Sequence, residues 1–199
     1  MTPAYQRQLR DLVRRFNGKQ IRGAEVGVSG GNLSAYLLAE VPNLYLHMVD
    51  AWRAPTPGSE YATCGSLYAT LNDEDQARRA AKATMQTRFA ADRRDVLWMD
   101  SVKGAERFAD GELDFVFIDG DHTYGGVKED LAAWYPKVRP GGFFGGHDYG
   151  DVCEGVKRAV DEFSKATGST ISVGEGSVWW TSIRTPSRWK RWLRRRATA

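Results

Sequence analysis

Apolar residues fall along this chain in short runs, separated by polar stretches that carry a helical spacing of their own. Leu9, Leu12, Val13 and Phe16 recur at intervals of three and four with arginines between them, which predicts an amphipathic helix over 3–16 that ends at Asn17-Gly18. The run AEVGV (24–28) reads as a strand; Ser29-Gly30-Gly31-Asn32 follows as a turn, and LSAYLLAEV (33–41) as a helix stopped by Pro42. LYLHMV (44–49), DVLWM (95–99), LDFVFI (113–118) and FFGG (143–146) predict four more strands. LDFVFI is apolar at nearly every position, as a strand covered on both faces must be. Helices are expected over 73–90, which opens with acids suited to a helix N-terminus, over the stretch that sets Val127, Leu131, Trp134 and Tyr135 on one side before Pro136, and over 156–166. TISV and VWWTSI, flanking Gly174-Glu175-Gly176, read as a closing hairpin.

Strands alternating with helices through five units predict an α/β fold: a doubly wound, Rossmann-like, mainly parallel seven-stranded sheet with a C-terminal antiparallel hairpin. Such sheets bind ligands beyond the carboxyl ends of their strands, and those ends here carry Gly27, Asp50, Asp100, Asp119 and Asp148. Residues 53–72 turn to Pro, Gly, Ser, Thr and Tyr without an apolar period, so they read as a long surface loop, with Tyr61 and Tyr68 suited to cover a bound molecule.

At 199 residues and 42% hydrophobic, the chain is expected to form one domain over 1–186 followed by a tail over 187–199. The net charge of +3 misleads about its surface, because six positive and no negative charges lie in 188–199, leaving the body at −3. A basic nucleic-acid-binding surface is therefore not expected. Trp189, Trp192 and Leu193 among the tail arginines would suit peripheral contact with an acidic partner or membrane surface. No apolar run approaches the roughly 20 residues of a membrane span, and the N-terminus lacks the apolar stretch of a secretory signal. Cys64 and Cys153 lie far apart without a CxxC pair, which suggests neither a disulfide framework nor a structural zinc site. A cytoplasmic protein with reduced thiols is the expectation, and self-association into a homo-oligomer is left open.

The turn Glu25-Val26-Gly27-Val28-Ser29-Gly30-Gly31 places glycines where a backbone bends sharply beside a helix N-terminus. A dinucleotide fold prefers GxGxxG, whereas this turn is GxxGG with a carboxylate two positions before its first glycine. A pyrophosphate gains nothing from that carboxylate; a cofactor carrying an ammonium and a sulfonium does. Asp50, at the end of the second strand, lies where doubly wound folds set a carboxylate against ribose hydroxyls.

Together with the third and fourth strand ends, these features resemble the class I S-adenosylmethionine-dependent methyltransferases over nearly the whole chain. The stretch FVFIDGDHTYGGVKEDLAAWYPKVRPGGFFGGHDYGD (115–151) is similar to small stand-alone members related to metal-dependent sugar and antibiotic O-methyltransferases. The resemblance implies that Glu25, Gly27, Ser29, Gly30 and Gly31 hold the methionine end of S-adenosyl-L-methionine and that Asp50, with Ala51 and Trp52 beside it, takes the ribose. It implies further that Asp100 and Ser101 border the adenine, and that Asp119 lies near the amino group or a metal.

Asp119, Asp121, His122, His147 and Asp148 fall at the ends of adjacent strands on that same side. Clustered carboxylates repel one another unless a cation neutralises them, so a divalent metal is expected, with Asp119, Asp121, His147 and Asp148 as its ligands. Spacing does not choose between Asp119 and Asp121. The resemblance implies Mg or Mn; His147 stands where relatives usually have Asp or Asn, and an imidazole favours softer ions. His122, His147 and Asp121 are the candidates for moving a proton from an acceptor hydroxyl, the acceptor expected being a small molecule or a glycan. The competing readings are a NAD-dependent oxidoreductase, disfavoured by the GxxGG turn, and a non-catalytic cofactor-binding or assembly protein. Methylation of a flipped base is disfavoured too, since Asp-Gly-Asp-His replaces an Asn-Pro-Pro-Tyr type motif after the fourth strand.

Overall fold

The computed structural model describes residues 3–16, 20–63, 70–150 and 153–183. The tail over 187–199, Tyr68, Cys64 and the Asn17-Gly18 helix end lie outside the described residues. Helix α1 (Ala4–Val13) precedes β1 (Ile21–Val26), α2 (Asn32–Glu40), β2 (Leu44–Asp50), the short α3 (Glu60–Thr63), α4 (Asp73–Gln86) and β3 (Arg94–Trp98). The second half comprises α5 (Ser101–Ala105), β4 (Leu113–Ile118), α6 (Tyr124–Trp134), β5 (Val138–Gly146), α7 (Glu154–Thr167), β6 (Ser172–Val173) and β7 (Trp179–Ser182).

These strands form one seven-stranded sheet in the order β3-β2-β1-β4-β5-β7-β6. The first five pair parallel, and β7 runs antiparallel to both β5 and β6, as the expected closing hairpin requires. After β1 the chain winds outward through β2 and β3, then returns to the other side of β1 for β4. That reversal opens a crevice between the carboxyl ends of β1 and β4.

Alternating side chains sort the core onto two faces. Ala24, Val26, Val116 and Ile118 meet Leu131, Trp134, Val160 and Phe163 of α6 and α7, while Ile21, Leu46, Met48, Phe115 and Phe117 meet Leu9 and Leu12 of α1, Leu37 of α2 and Ala83 of α4. A sheet buried on both faces explains the continuous apolar runs. The acid-rich start of α4 is fixed by a reciprocal capping box, in which Asn72 Oδ1 accepts the Asp75 N–H at 2.9 Å and Asp75 Oδ2 accepts the Asn72 N–H at 3.4 Å.

Several boundaries differ from those expected. Strand β1 begins at Ile21 and β5 at Val138, so β5 includes Pro140 and two glycines that argue against a strand in isolation. The helix expected over 73–90 ends at Gln86 and gives way to a 3-10 segment, Arg88–Arg93. Helix α5 was not foreseen; five residues are too few to show a period.

Candidate active site

A cavity of about 770 Å³ opens over the carboxyl ends of the central strands. One wall is the turn between β1 and α2. Gly27 has φ +90°, and a Cβ there would lie 2.2 Å from the Asp119 carbonyl oxygen, so the β1 turn and the end of β4 touch only because this residue has no side chain. Gly31, at φ +77°, begins α2 where a Cβ would press on the Ala83 backbone of α4 at 2.7 Å. Its role is helix packing: the cavity is lined by Gly27, Ser29 and Gly30 but not by Gly31.

The Asp50 carboxylate holds this turn. Its Oδ2 accepts the backbone N–H groups of Val28 and Ser29 at 2.9 and 2.8 Å, and its Oδ1 accepts that of Trp52 at 2.8 Å. A carboxylate offers about four acceptor positions, so one remains. Trp52 is buried, donates its indole N–H to the Ser29 carbonyl at 2.8 Å and meets Trp98 edge-on. Ala51 lines the cavity beside it. Glu25, 2% exposed, accepts the Ser34 hydroxyl, and burial pushes its carboxyl up to about 8 despite that bond.

Farther along the same wall, Asp100 receives the Arg53 guanidinium at 2.7 Å. The Ser101 hydroxyl donates to Asp130 and accepts the Trp134 indole N–H at 2.8 Å. Burial raises the Asp130 carboxyl to about 7.

The opposite wall gathers the titratable groups. Asp119 Oδ1 lies 3.6 Å from His147 Nδ1 and 3.7 Å from His122 Nε2. Asp148 places Oδ1 3.1 Å from His147 Nδ1 and Oδ2 3.1 Å from His122 Nε2. One donor atom each from Asp119, His147 and Asp148 falls within 4.8 Å of the others. Among the described residues, the buried His122 Nε2 atom meets these carboxylates as an ion pair without hydrogen-bond geometry. Asp148 sits in the left-handed region at φ +59°, a conformation a non-glycine residue adopts only when its surroundings hold it there. Burial opposes charge on His147, yet Asp119 and Asp148 outweigh it and bring its pKa to about 10. His122 is raised as well, burial being overcome by the same two carboxylates. Asp119, for its part, is lowered: burial alone would raise it, and the two imidazoles reverse that.

Asp121 does not join this group. Its Oδ1 accepts the Thr123 N–H at 2.8 Å, which commits the carboxylate to the turn that starts α6. Of the two aspartates that spacing left equal, the fold brings Asp119 to the histidines. Asp121 nevertheless lines the same cavity, together with the other expected residues Glu25, Gly27, Ser29, Gly30, Asp50, Ala51, Trp52, Asp100, Ser101, Asp119, His122, His147 and Asp148. Tyr5, Arg53 and Asp130 also line it and were not anticipated. Tyr5 reaches over from α1, its ring centroid 4.5 Å from that of His147. Asp130 carried a usable signal, since it interrupts the stripe of Val127, Leu131 and Trp134 with a buried charge-bearing residue.

A glycine-rich turn held by the carboxylate that ends β2, in a sheet of this strand order, defines a class I S-adenosylmethionine-dependent methyltransferase fold. The family model described as a methyltransferase domain matches residues 24–149, and the chain belongs to that family. Mycinamicin VI 2''-O-methyltransferase of Micromonospora griseorubida is 30% identical over 144 residues, 72% of this chain but 30% of that protein, so the chain matches under a third of this relative's length. Among solved structures, the O-methyltransferase NovP superposes with a TM-score of 0.67 at 18% identity, covering 91% of this chain and 80% of that one. The MycE methyltransferase of the mycinamycin biosynthetic pathway, in complex with Mg and SAH, gives 0.54 at 18% identity, covering 92% and 49%.

Proposed function

We propose that this chain is an S-adenosylmethionine-dependent O-methyltransferase acting on a hydroxyl of a sugar or another small molecule, assisted by a divalent ion. The observation that carries this reading is the convergence of Asp119, His122, His147 and Asp148 across one cavity from the Gly27 turn. The 2''-O-methyltransferase relative and the Mg-containing MycE complex support it.

The cavity fits the cofactor in size and in sign. About 770 Å³ suits a ligand of nucleoside dimensions, and buried Glu25 suits a cationic one. When bound, the cofactor supplies a methyl already activated on a positively charged sulfur, and the ion supplies positive charge beside the acceptor oxygen. The chain does the rest by positioning. Gly27, Ser29 and Gly30 admit the methionine end against the backbone, with Glu25 facing its ammonium group. Asp50 offers its remaining acceptor position to a ribose hydroxyl; Asp100 and Ser101 border the base. Asp119, His147 and Asp148 hold the ion. His122, whose Nε2 faces Asp148 Oδ2 at 3.1 Å, takes the acceptor proton. Tyr5 and Tyr61 line the cavity and give an acceptor ring surfaces to lie against.

The protons on the two imidazoles set the pH dependence. His147, at about 10, is protonated throughout the neutral range, so ion binding must displace that proton. Ion affinity is therefore expected to rise with pH, by up to about tenfold per unit while one proton is exchanged. Calorimetric titration of Mg2+ or Mn2+ at several pH values checks this.

Side-by-side titrations with S-adenosylhomocysteine and NAD test the cofactor assignment, binding being expected for the first alone. Methyl transfer to a panel of glycosides and phenols should disappear with EDTA and return with Mg2+ or Mn2+. Full activity after EDTA treatment, with no gain on adding metal, would remove the ion from the mechanism.

A further inference from the structure

Beside the oxygen-rich cluster lies a second donor set that shares only one residue with it. His122, Asp148 and Cys153 each contribute one donor atom, and these atoms lie within 4.8 Å of one another. Cys153 lies at the start of α7 and is partly buried. Asp148 is suited to serve both sets, because Oδ1 faces His147 and Oδ2 faces His122, each at 3.1 Å. His122 belongs to the second set alone, its Nε2 facing Asp148 Oδ2 at 3.1 Å.

We propose that His122, Asp148 Oδ2 and Cys153 form a separate position for a thiophilic divalent ion, zinc by its chemistry, next to the position held by Asp119 and His147. One imidazole, one carboxylate and one thiolate are the donors zinc takes in tetrahedral sites, and three protein ligands leave a fourth place for water. Binding breaks the Cys153 S–H bond, forms the sulfur–metal bond and releases one proton to solvent. The consequence is regulatory and rests on the methyl-transfer reading above: an ion here occupies the lone pair with which His122 would accept the acceptor proton, so zinc silences the site that Mg2+ supports.

Co2+ added to the full chain is a direct probe, since thiolate ligation gives an intense sulfur-to-cobalt absorption in the near ultraviolet. The wild-type chain is expected to show that band, saturating at one thiolate-bound cobalt per chain and bleached by Zn2+. Cys153→Ser should lose it and bind Zn2+ at least about tenfold more weakly, while Cys64→Ser retains both properties. Absence of the band in the wild-type chain, its persistence in Cys153→Ser, or its loss in Cys64→Ser instead would overturn the proposal. Titration of the same samples with S-adenosylhomocysteine reads the cofactor assignment independently: no binding there sinks the methyl-transfer reading, and the cobalt band still decides the thiophilic position.

Discussion

On the wall built by β1 and β2, Asp50 already accepts three backbone N–H groups and the Trp52 indole is tied to the turn it covers. On the wall built by β4 and β5, two carboxylates and two imidazoles face one another, and among the described residues His122 Nε2 meets the carboxylates as an ion pair without hydrogen-bond geometry. The first wall is complete in itself and presents a shaped surface. The second balances buried negative charge with protons that a metal ion can replace. If the proposed function holds, the seats of the two reactants should therefore be separable by mutation.

The largest expected effect tests that separation from the second wall. His122→Gln keeps a polar side chain there but removes the proposed proton acceptor, so methyl transfer should fall by about 10²- to 10⁴-fold. Affinity for S-adenosylhomocysteine should stay unchanged in calorimetry. Equal losses of rate and cofactor affinity would mean that the two walls act as one unit.

Asp50→Ala strikes the first wall. It removes the proposed ribose acceptor and leaves three N–H groups without their partner; a lost hydrogen bond to a charged group is worth about 1.5–3 kcal/mol. Cofactor affinity should drop by roughly 10- to 100-fold, with a lower melting temperature, while divalent-ion affinity is retained. Retained cofactor affinity would reduce Asp50 to a structural brace for the turn.

A smaller effect is the pH response of the first wall. Burial holds the Glu25 carboxyl at about 8, against 4.5 when exposed, so the folded chain keeps a proton that the unfolded chain gives up. Stability from this group is therefore greatest below about 4.5 and is lost as pH rises toward about 8, by a few kcal/mol at most. A cationic cofactor favours the carboxylate, so its affinity should rise with pH up to about 8 and then level off. Glu25→Gln should abolish both dependences, raising the melting temperature in mildly alkaline buffer while weakening cofactor binding there. Identical pH profiles for the variant and the wild-type chain would exclude Glu25 as the linked group.

What the sequence disclosed follows from how local each feature is. Strand ends were legible because buried parallel strands are continuous apolar runs that stop at a polar residue, as LDFVFI does at Asp119. The glycine turn was legible because its backbone demand is met by residue type alone. Helix α5 and the start of β5 were not, since one is too short for a period and the other contains Pro140-Gly141-Gly142, which lie at the register shift between Val138 and Phe143 opposite β4 and are held by backbone bonds to Ile183. Tyr5 was out of reach for a different reason: α1 is far from His147 in the chain, and only the packed sheet brings their rings to 4.5 Å. The titratable residues of the second wall were legible as a set of strand-end residues, but the direction of each side chain depends on which backbone N–H groups lie nearby.

That last dependence gives the smallest expected effect and the sharpest discrimination. Asp121 and Asp119 are two residues apart, yet Asp121 Oδ1 is taken by the Thr123 N–H at 2.8 Å while Asp119 faces both histidines. Asp121→Asn keeps a carbonyl oxygen that can accept the same N–H, so stability should change by no more than about 0.5 kcal/mol and ion affinity should match the wild-type chain. Asp119→Asn, by contrast, removes a negative charge from between two imidazoles and should release their protons at lower pH while weakening Mg2+ and Mn2+ binding. Parallel metal titrations of the two variants make the test. If Asp121→Asn loses the ion and Asp119→Asn keeps it, the second wall is organised by the turn into α6 rather than by the end of β4, and the assignment of its ligands must be exchanged.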